Sequence, residues 1–245
     1  MKKLVTIILL NLAVTATFAQ RGKKIKGNGN VVTIERQTGD YDALRVGGFY
    51  EVELVEGNEG KITLSGEDNI LEFIETEVKG GTLTIKSQDN MQLKVSTGEK
   101  VFITIPVQSI DAIRLSGSGR LSSDMDLKAD NFKVHTSGSR NAALSINANI
   151  IKVISSGSSN IKLDGKAEQV HITSSGSSNL RAHELTTGIA EITSSGSSNI
   201  HISVINKIDV RSSGSSNVKY RGNPEKVYSK ASGSSKLSKE RKTNI

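Results

Sequence analysis

Two carboxylates and an imidazole hold matching places in the second half of the chain. Glu191 and Asp209 are the middle residues of Ala190-Glu191-Ile192 and Ile208-Asp209-Val210, and His171 is the middle residue of Val170-His171-Ile172. Lys152 and Lys133 hold the same place in Ile151-Lys152-Val153 and Phe132-Lys133-Val134. Carboxylates gathered with His or Lys are the material of general acid-base and glycoside-cleaving chemistry. If the triplets stack, the five residues form one column with Glu191 and Asp209 as neighbours. A solvated charge ladder uses the same residues without chemistry, because opposite charges on adjacent strands stabilise pairing slightly. The ladder is the preferred reading, so no catalytic residue is assigned and the chain is expected not to be an enzyme.

Other reactive residue types point to no site. Of the four histidines, His135, His171, His183 and His201, only His135 and His171 are expected on one column, which makes a weak metal proposal. Calcium-binding glycine turns also carry Asp, and the glycine corners of this chain hold none. Gly117-Ser118-Gly119-Arg120 has the look of a phosphate cradle, but no helix follows to aim its N-terminus at an anion. There is no cysteine, which removes thiol catalysis and thiolate metal sites. No metal and no cofactor is assigned.

What positions these residues is a repeat. Ser-Gly-Ser elements centre on Gly117, Gly138, Gly157, Gly176, Gly196, Gly214 and Gly233, spaced 21, 19, 19, 20, 18 and 19 residues apart. A fixed period of this length signals a solenoid whose units bury their apolar faces only by stacking. The triplets before each glycine, and Ile161-Lys162-Leu163, Leu180-Arg181-Ala182, Ile200-His201-Ile202 and Val218-Lys219-Tyr220 after it, read apolar, polar, apolar. That alternation, rich in β-branched residues, belongs to strands with one face in and one face out. The expected fold is all-β, a right-handed parallel β-helix of about seven coils, roughly 35 Å long, with an N-terminal β-rich capping region. Gly138, Gly157, Gly176, Gly196, Gly214 and Gly233 are expected as structural corners at positive φ. Asn160, Asn179, Asn199 and Asn217 would stack into an amide ladder; the structural reading of this polar ladder is preferred to a binding one, and it is the one candidate binding surface.

The flanks bound the compartment. Residues 1–19 combine Lys2 and Lys3, an apolar stretch and a small-residue ending at Ala19, the pattern of a secretory signal peptide. Residues 20–39, with Gly27-Asn28-Gly29-Asn30, read as a flexible leader and first strand. Residues 40–236 form one β-helix domain, divided into a β-rich N-terminal part (40–105) and Gly-Ser repeat coils (106–236), and 237–245 is a charged tail. Within the N-terminal part, Val78 to Leu83 reads as a hairpin turning on Gly80-Gly81, and Asp68 to Ile74 is the only helical hint. No transmembrane segment is expected after the signal. The formal charge of +7 favours anionic surfaces weakly. The scattered basic residues and nine Phe and Tyr exclude a stacking platform for nucleic acid.

The strand Phe49-Tyr50-Glu51-Val52-Glu53-Leu54 after Val46-Gly47-Gly48, then Gly66-Glu67-Asp68-Asn69-Ile70-Leu71, then Gly81-Thr82-Leu83-Thr84-Ile85, and finally the Ser-Gly-Ser-Ser-Asn corners together resemble a bacterial autotransporter-adhesin family, the head GIN domain. The resemblance runs over about residues 40 to 220. It implies an exported β-helical protein of Bacteroides-type bacteria and supplies no catalytic residues. The expected role is a non-catalytic adhesin-like or cell-envelope interaction protein with glycans or envelope components as partners. Its expected compartment is periplasmic, outer-membrane-associated or extracellular. The alternative is a polysaccharide lyase or hydrolase on a β-helix. The sequence sets neither the ligand nor the oligomeric state.

Overall fold

The computed structural model describes residues 22–240, so the expected signal peptide and residues 241–245 of the tail lie outside the described residues. Alternation of apolar and polar residues makes strands almost everywhere. Strand accounts for 74% of the described residues and helix for about 2%, which excludes a helical solenoid.

The N-terminal part contains β1 (Lys23–Lys26), β2 (Val31–Gln37), β3 (Ala43–Gly48), β4 (Glu51–Glu56) and β5 (Lys61–Glu67), the single-turn helix α1 (Asp68–Leu71), then β6 (Ile74–Lys79), β7 (Thr82–Ser87), β8 (Met91–Lys94) and β9 (Phe102–Val107). The solenoid follows as β10 (Ala112–Gly157), β11 (Asn160–Gly176), β12 (Asn179–Gly196), β13 (Asn199–Ser212), β14 (Asn217–Arg221), β15 (Lys226–Ala231) and β16 (Lys236–Lys239). The long elements run around corners, and β10 alone winds through more than one coil.

Every pairing within the solenoid is parallel. The register sets like on like, with Asn160 on Asn179 on Asn199 on Asn217 and Gly157 on Gly176 on Gly196. A one-residue slip would turn each apolar triplet outward, so burial fixes the register. The apolar members of the triplets, such as Phe132 and Val134, Ile151 and Val153, and Val170 and Ile172, are buried. Each contributes about 1.5–3 kcal/mol relative to exposure, while the middle residues face solvent or its margin. The stack makes about five turns rather than the seven expected from sequence. Seven corners bound only six intervals, and the last carries just the short strands β14 and β15.

The corner motif begins earlier than the sequence suggests. β3 and β4 pair in parallel with the first coil of β10, and Gly48 lies directly beneath Gly117 at φ 131°. Residues 43–56 are therefore a rung of the solenoid itself. Phe49-Tyr50 stands where later corners have Ser-Ser, which hides the motif. β7 and β9 stack in parallel below this rung. Antiparallel partners then close the end, β6 on β7, β5 on β9 and β2 on β5. Changing strand direction ends the periodic template, a way of covering an open edge.

The hairpin pairs Val78 with Leu83 and Thr76 with Ile85, with Gly80 and Gly81 at φ 56° and 70°, the positive angles a two-residue turn requires. The helical hint survives only as α1, since Ile74 opens β6. Two flanking expectations differ from the structure. β1 pairs in parallel with β8, so the leader is built into the fold rather than flexible there. The charged tail from residue 237 starts inside β16, which pairs with β14.

Candidate functional site

The corners generate ordered columns of polar side chains along the axis. Gly138, Gly157, Gly176, Gly196, Gly214 and Gly233 have φ between 71° and 101°. A Cβ on Gly176 would stand 2.6 Å from the carbonyl oxygen of Gly157. Backbone stacked this tightly at positive φ admits only glycine. Two residues to either side of Gly157, Gly176, Gly196 and Gly214, buried serines point inward, and most pair between coils. Ser155 bonds Ser178 at 2.7 Å, Ser174 bonds Ser198 at 2.7 Å and Ser194 bonds Ser216 at 2.8 Å. At the first such corner Thr136 bonds Ser155 instead, at 3.2 Å, which leaves the buried Ser159 Oγ without a partner.

Three residues after the corners from Gly138 to Gly214 the amides of Asn141, Asn160, Asn179, Asn199 and Asn217 face outward. Asn160 Nδ2 donates to Asn141 Oδ1 at 3.2 Å, Asn179 to Asn160 at 3.1 Å and Asn199 to Asn179 at 3.1 Å. Asn141, not singled out in the sequence, is thus the first member, and Asn217 continues the backbone register beyond Asn199. An inner member of the ladder spends one N–H and one acceptor position on its neighbours, so one N–H and one lone pair stay free for a ligand. Beside the amides runs a second outward column of Ala143, Lys162, Arg181, His201 and Lys219. The small Ala143 leaves a depression of about 190 Å³ bordered by Arg120, Asn141, Asn160, Lys162 and Arg181. Lys162 is held by Asp164 at 2.8 Å.

The column of Lys133, Lys152, His171, Glu191 and Asp209 does form on the face before the corner, with His171, Glu191 and Asp209 in direct register. Its carboxylates are engaged. His171 Nδ1 lies 3.1 Å from Glu191 Oε2, and Arg211 Nη2 lies 3.6 Å from Asp209 Oδ2. His135 does not share the column of His171. It stands three residues before its corner glycine and His171 five before its own, so the two occupy neighbouring columns. The histidines close enough to interact are His183 and His201. Burial, aided by the nearby charges of Lys219 and His183, holds His201 below its ordinary pKa despite Glu240 3.8 Å away. Among the described residues no group of three or more His, Asp or Glu is placed to hold a metal ion.

Three buried polar groups were not legible as special. Arg140, 1% exposed, takes the place that serine holds in later corners. Its guanidinium donates to the carbonyl oxygens of Ser118 and Val46, the latter at 3.1 Å. Gly119 makes the space, since a Cβ there would lie 2.7 Å from Arg140 Nη1. Burial lowers the Arg140 pKa to about 10. Tyr50, whose hydroxyl lies 2.9 Å from Ser87 Oγ, is raised by burial. Glu67, fully buried, accepts from Ser96 N at 2.9 Å, Ser96 Oγ at 2.5 Å and Gly29 N at 2.6 Å. Burial pushes its pKa up, but the hydrogen bonds from Ser96 and Gly29 outweigh burial and leave it below the usual value. Asn28 and Asn30 each donate to Asp68 at 2.7 Å, so the Gly-Asn-Gly-Asn segment is clasped by Glu67 and Asp68.

The family model described as "Putative auto-transporter adhesin, head GIN domain" matches residues 40–224, a span that begins just before the first rung and ends after β14. The chain belongs to that family. Solved structures share the fold. One described as a putative adhesin from Bacteroides fragilis superposes with a TM-score of 0.81 at 22% identity, covering 88% of this chain and 100% of its own. Another, from Parabacteroides distasonis and described as a putative lipid binding protein, gives 0.71 at 20% identity, with 89% and 100% covered. A putative adhesin from Parabacteroides merdae gives 0.65 at 16% identity, again with 89% and 100% covered. At these identities the likeness shows the fold alone. No curated protein matches the chain. No helix among the described residues is long and apolar enough to cross a membrane.

Proposed function

We propose that this head GIN protein is an exported, non-catalytic cell-envelope interaction protein that holds acidic polysaccharide on its repetitive polar face. The observation that carries the reading is the amide ladder from Asn141 to Asn199 beside Arg120, Lys162 and Arg181. It offers a free donor and acceptor at each inner rung, about 4.8 Å apart, next to cations that attract carboxylate. The adhesin names of the family and of two solved relatives agree with such a role. The engagement of Glu191 by His171 and of Asp209 by Arg211 supports the non-catalytic part. The Lys-led, apolar N-terminal segment supports export to the periplasm, the outer membrane or the outside.

The experiment is calorimetric titration of the protein without residues 1–19 against polygalacturonate and a neutral dextran, with reducing-end assays of both. Weak binding of the acidic polymer, declining as salt rises because exposed charges are screened over about 8 Å at 0.15 M, is the expected result. Glu191→Gln and Asp209→Asn leave it unchanged. Cleavage of a glycan by the wild type, lost in those two variants, would overturn the reading in favour of an enzyme.

A further inference from the structure

The face before the corner changes character along the axis. At its C-terminal end carboxylate stacks on carboxylate, Glu191 on Asp209, but each has an opposite partner, His171 for Glu191 and Arg211 for Asp209. Toward the N-terminal end cation stacks on cation without such a partner. Arg45 pairs in register with Arg114. The stacked corners Gly138 and Gly157 set Lys152 one rung beyond Lys133, and the amide of Lys133 donates to the carbonyl of Asp111, placing it above Ala112. All four cations are exposed. None has a carboxylate within 4.0 Å among the described residues.

Like charges directly opposite on neighbouring strands destabilise the pairing. Where carboxylates stack, at Glu191 and Asp209, an opposite charge beside each offsets the repulsion. Arg on Arg and Lys on Lys, over four successive rungs spanning roughly 14 Å, have no such offset. We infer that this stripe is a docking track for a linear polyanion, a uronate-rich or sulfated polysaccharide lying along the solenoid axis with its charges over successive rungs. This rests on the reading of the protein as a polysaccharide binder and adds to the amide face a second, separate face for the charged polymer. Small neighbours leave the cations accessible, since Ala43 and Ala112 fill the column beside Arg45 and Arg114. No Phe, Tyr or Trp lies in either of the two columns over these four rungs to stack a base, which favours polysaccharide over nucleic acid.

The test compares the wild type, Arg114→Gln combined with Lys133→Gln, and Asn160→Ala combined with Asn179→Ala. Probes are heparin, polygalacturonate, neutral dextran and a duplex DNA, read by titration and by melting temperature with and without polymer. The expected result is roughly tenfold weaker polyanion binding in the Arg114/Lys133 variant, equivalent to about 1.4 kcal/mol. Its own melting temperature should be unchanged or higher because repulsion is relieved, and the rise that bound polymer gives the wild type should be lost. The amide variant should keep most of its polyanion affinity. Unchanged polyanion binding in the Arg114/Lys133 variant, with binding lost in the amide variant, would overturn the track while sparing the broader reading. No binding of any polysaccharide by the wild type would remove both. A clear preference for the duplex would refute the choice of ligand, and a lower melting temperature with unaltered binding would make the stripe a structural ladder.

Discussion

From Ser155 to Ser216 the interior of each corner is a hydroxyl bonded to the hydroxyl of the next coil. From Val46 to Arg140 the same interior positions hold Val46, Tyr50, Leu115, Gly119 and one buried guanidinium, and only Thr136, bonded to Ser155, begins the hydroxyl pattern. The later corners satisfy buried polar groups by repetition, so any coil can serve its neighbour. The early rungs satisfy them singly, by Arg140 on two carbonyls and by Glu67 on Ser96 and Gly29. Interchangeable parts and unique parts respond differently to damage.

The largest effect separates whole coils from fractions of coils. Deleting Ile172 to Glu191 joins His171 to Ile192 and leaves every later residue in its column, so the product should fold with a cooperative urea transition. Deleting only Ile172 to Arg181 removes a corner and misplaces the next strand, and it should yield no folded protein at all. Two folded products would show that the register is not what holds the stack together.

Next in size comes the glycine corner. Gly176→Ala meets both positive φ, 101°, and the Gly157 carbonyl at 2.6 Å, and it should cost about 4 kcal/mol or prevent folding. Gly80→Ala, in the N-terminal hairpin, also sits at positive φ, 56°, but with nothing within 4 Å. It should cost only the strain of the angle, about 1 kcal/mol. Similar denaturation midpoints would mean that stacking adds nothing to strain.

Periodicity made the first region legible and left the second opaque. The triplets, the glycine corners and the Asn column could be read from spacing because each coil repeats the chemistry of the last. Gly48 was missed as a corner because Phe49-Tyr50 replaces Ser-Ser after it. Arg140 was missed because it interrupts the serine column once, and only the space above Gly119 shows why a guanidinium fits. Asn28 and Asn30 looked like linker residues, since their partner Asp68 lies about forty positions away and nothing local announces it. The cationic stripe was half visible. Lys133 and Lys152 fell in the repeat, but Arg45 joins them only through the pairing of β3 with β10.

Glu67 tests the unique side of the comparison through pH. Its native pKa is lowered, so the folded state holds its proton less tightly than an unfolded Glu at about 4.3. Its stabilising contribution is therefore present above about pH 5 and is lost as pH falls through the lowered native value. Glu67→Gln sets an amide N–H against the donors of Ser96 or Gly29 and should cost about 1–3 kcal/mol at pH 7. The difference from wild type should shrink steadily toward pH 2. A constant difference between pH 7 and pH 2 would mean that Glu67 is not ionised in the native state.

The smallest effect probes the amide ladder, where repetition ought to make each member count alike. Asn179 both donates to Asn160 and accepts from Asn199, so Asn179→Ala removes two hydrogen bonds on an accessible face. Water replaces the lost partners there, and the net cost should be near 1 kcal/mol. Asn141 only accepts, from Asn160, so Asn141→Ala should cost about half as much. If instead the two substitutions cost the same, the ladder would contribute through each residue's fit to its own turn and not through bonds between coils. The likeness among coils would then be one of shape alone. A double substitution at Asn160 and Asn179 separates the two accounts further. The bond they share can be lost only once, so the combined cost should fall short of the sum of the two single costs.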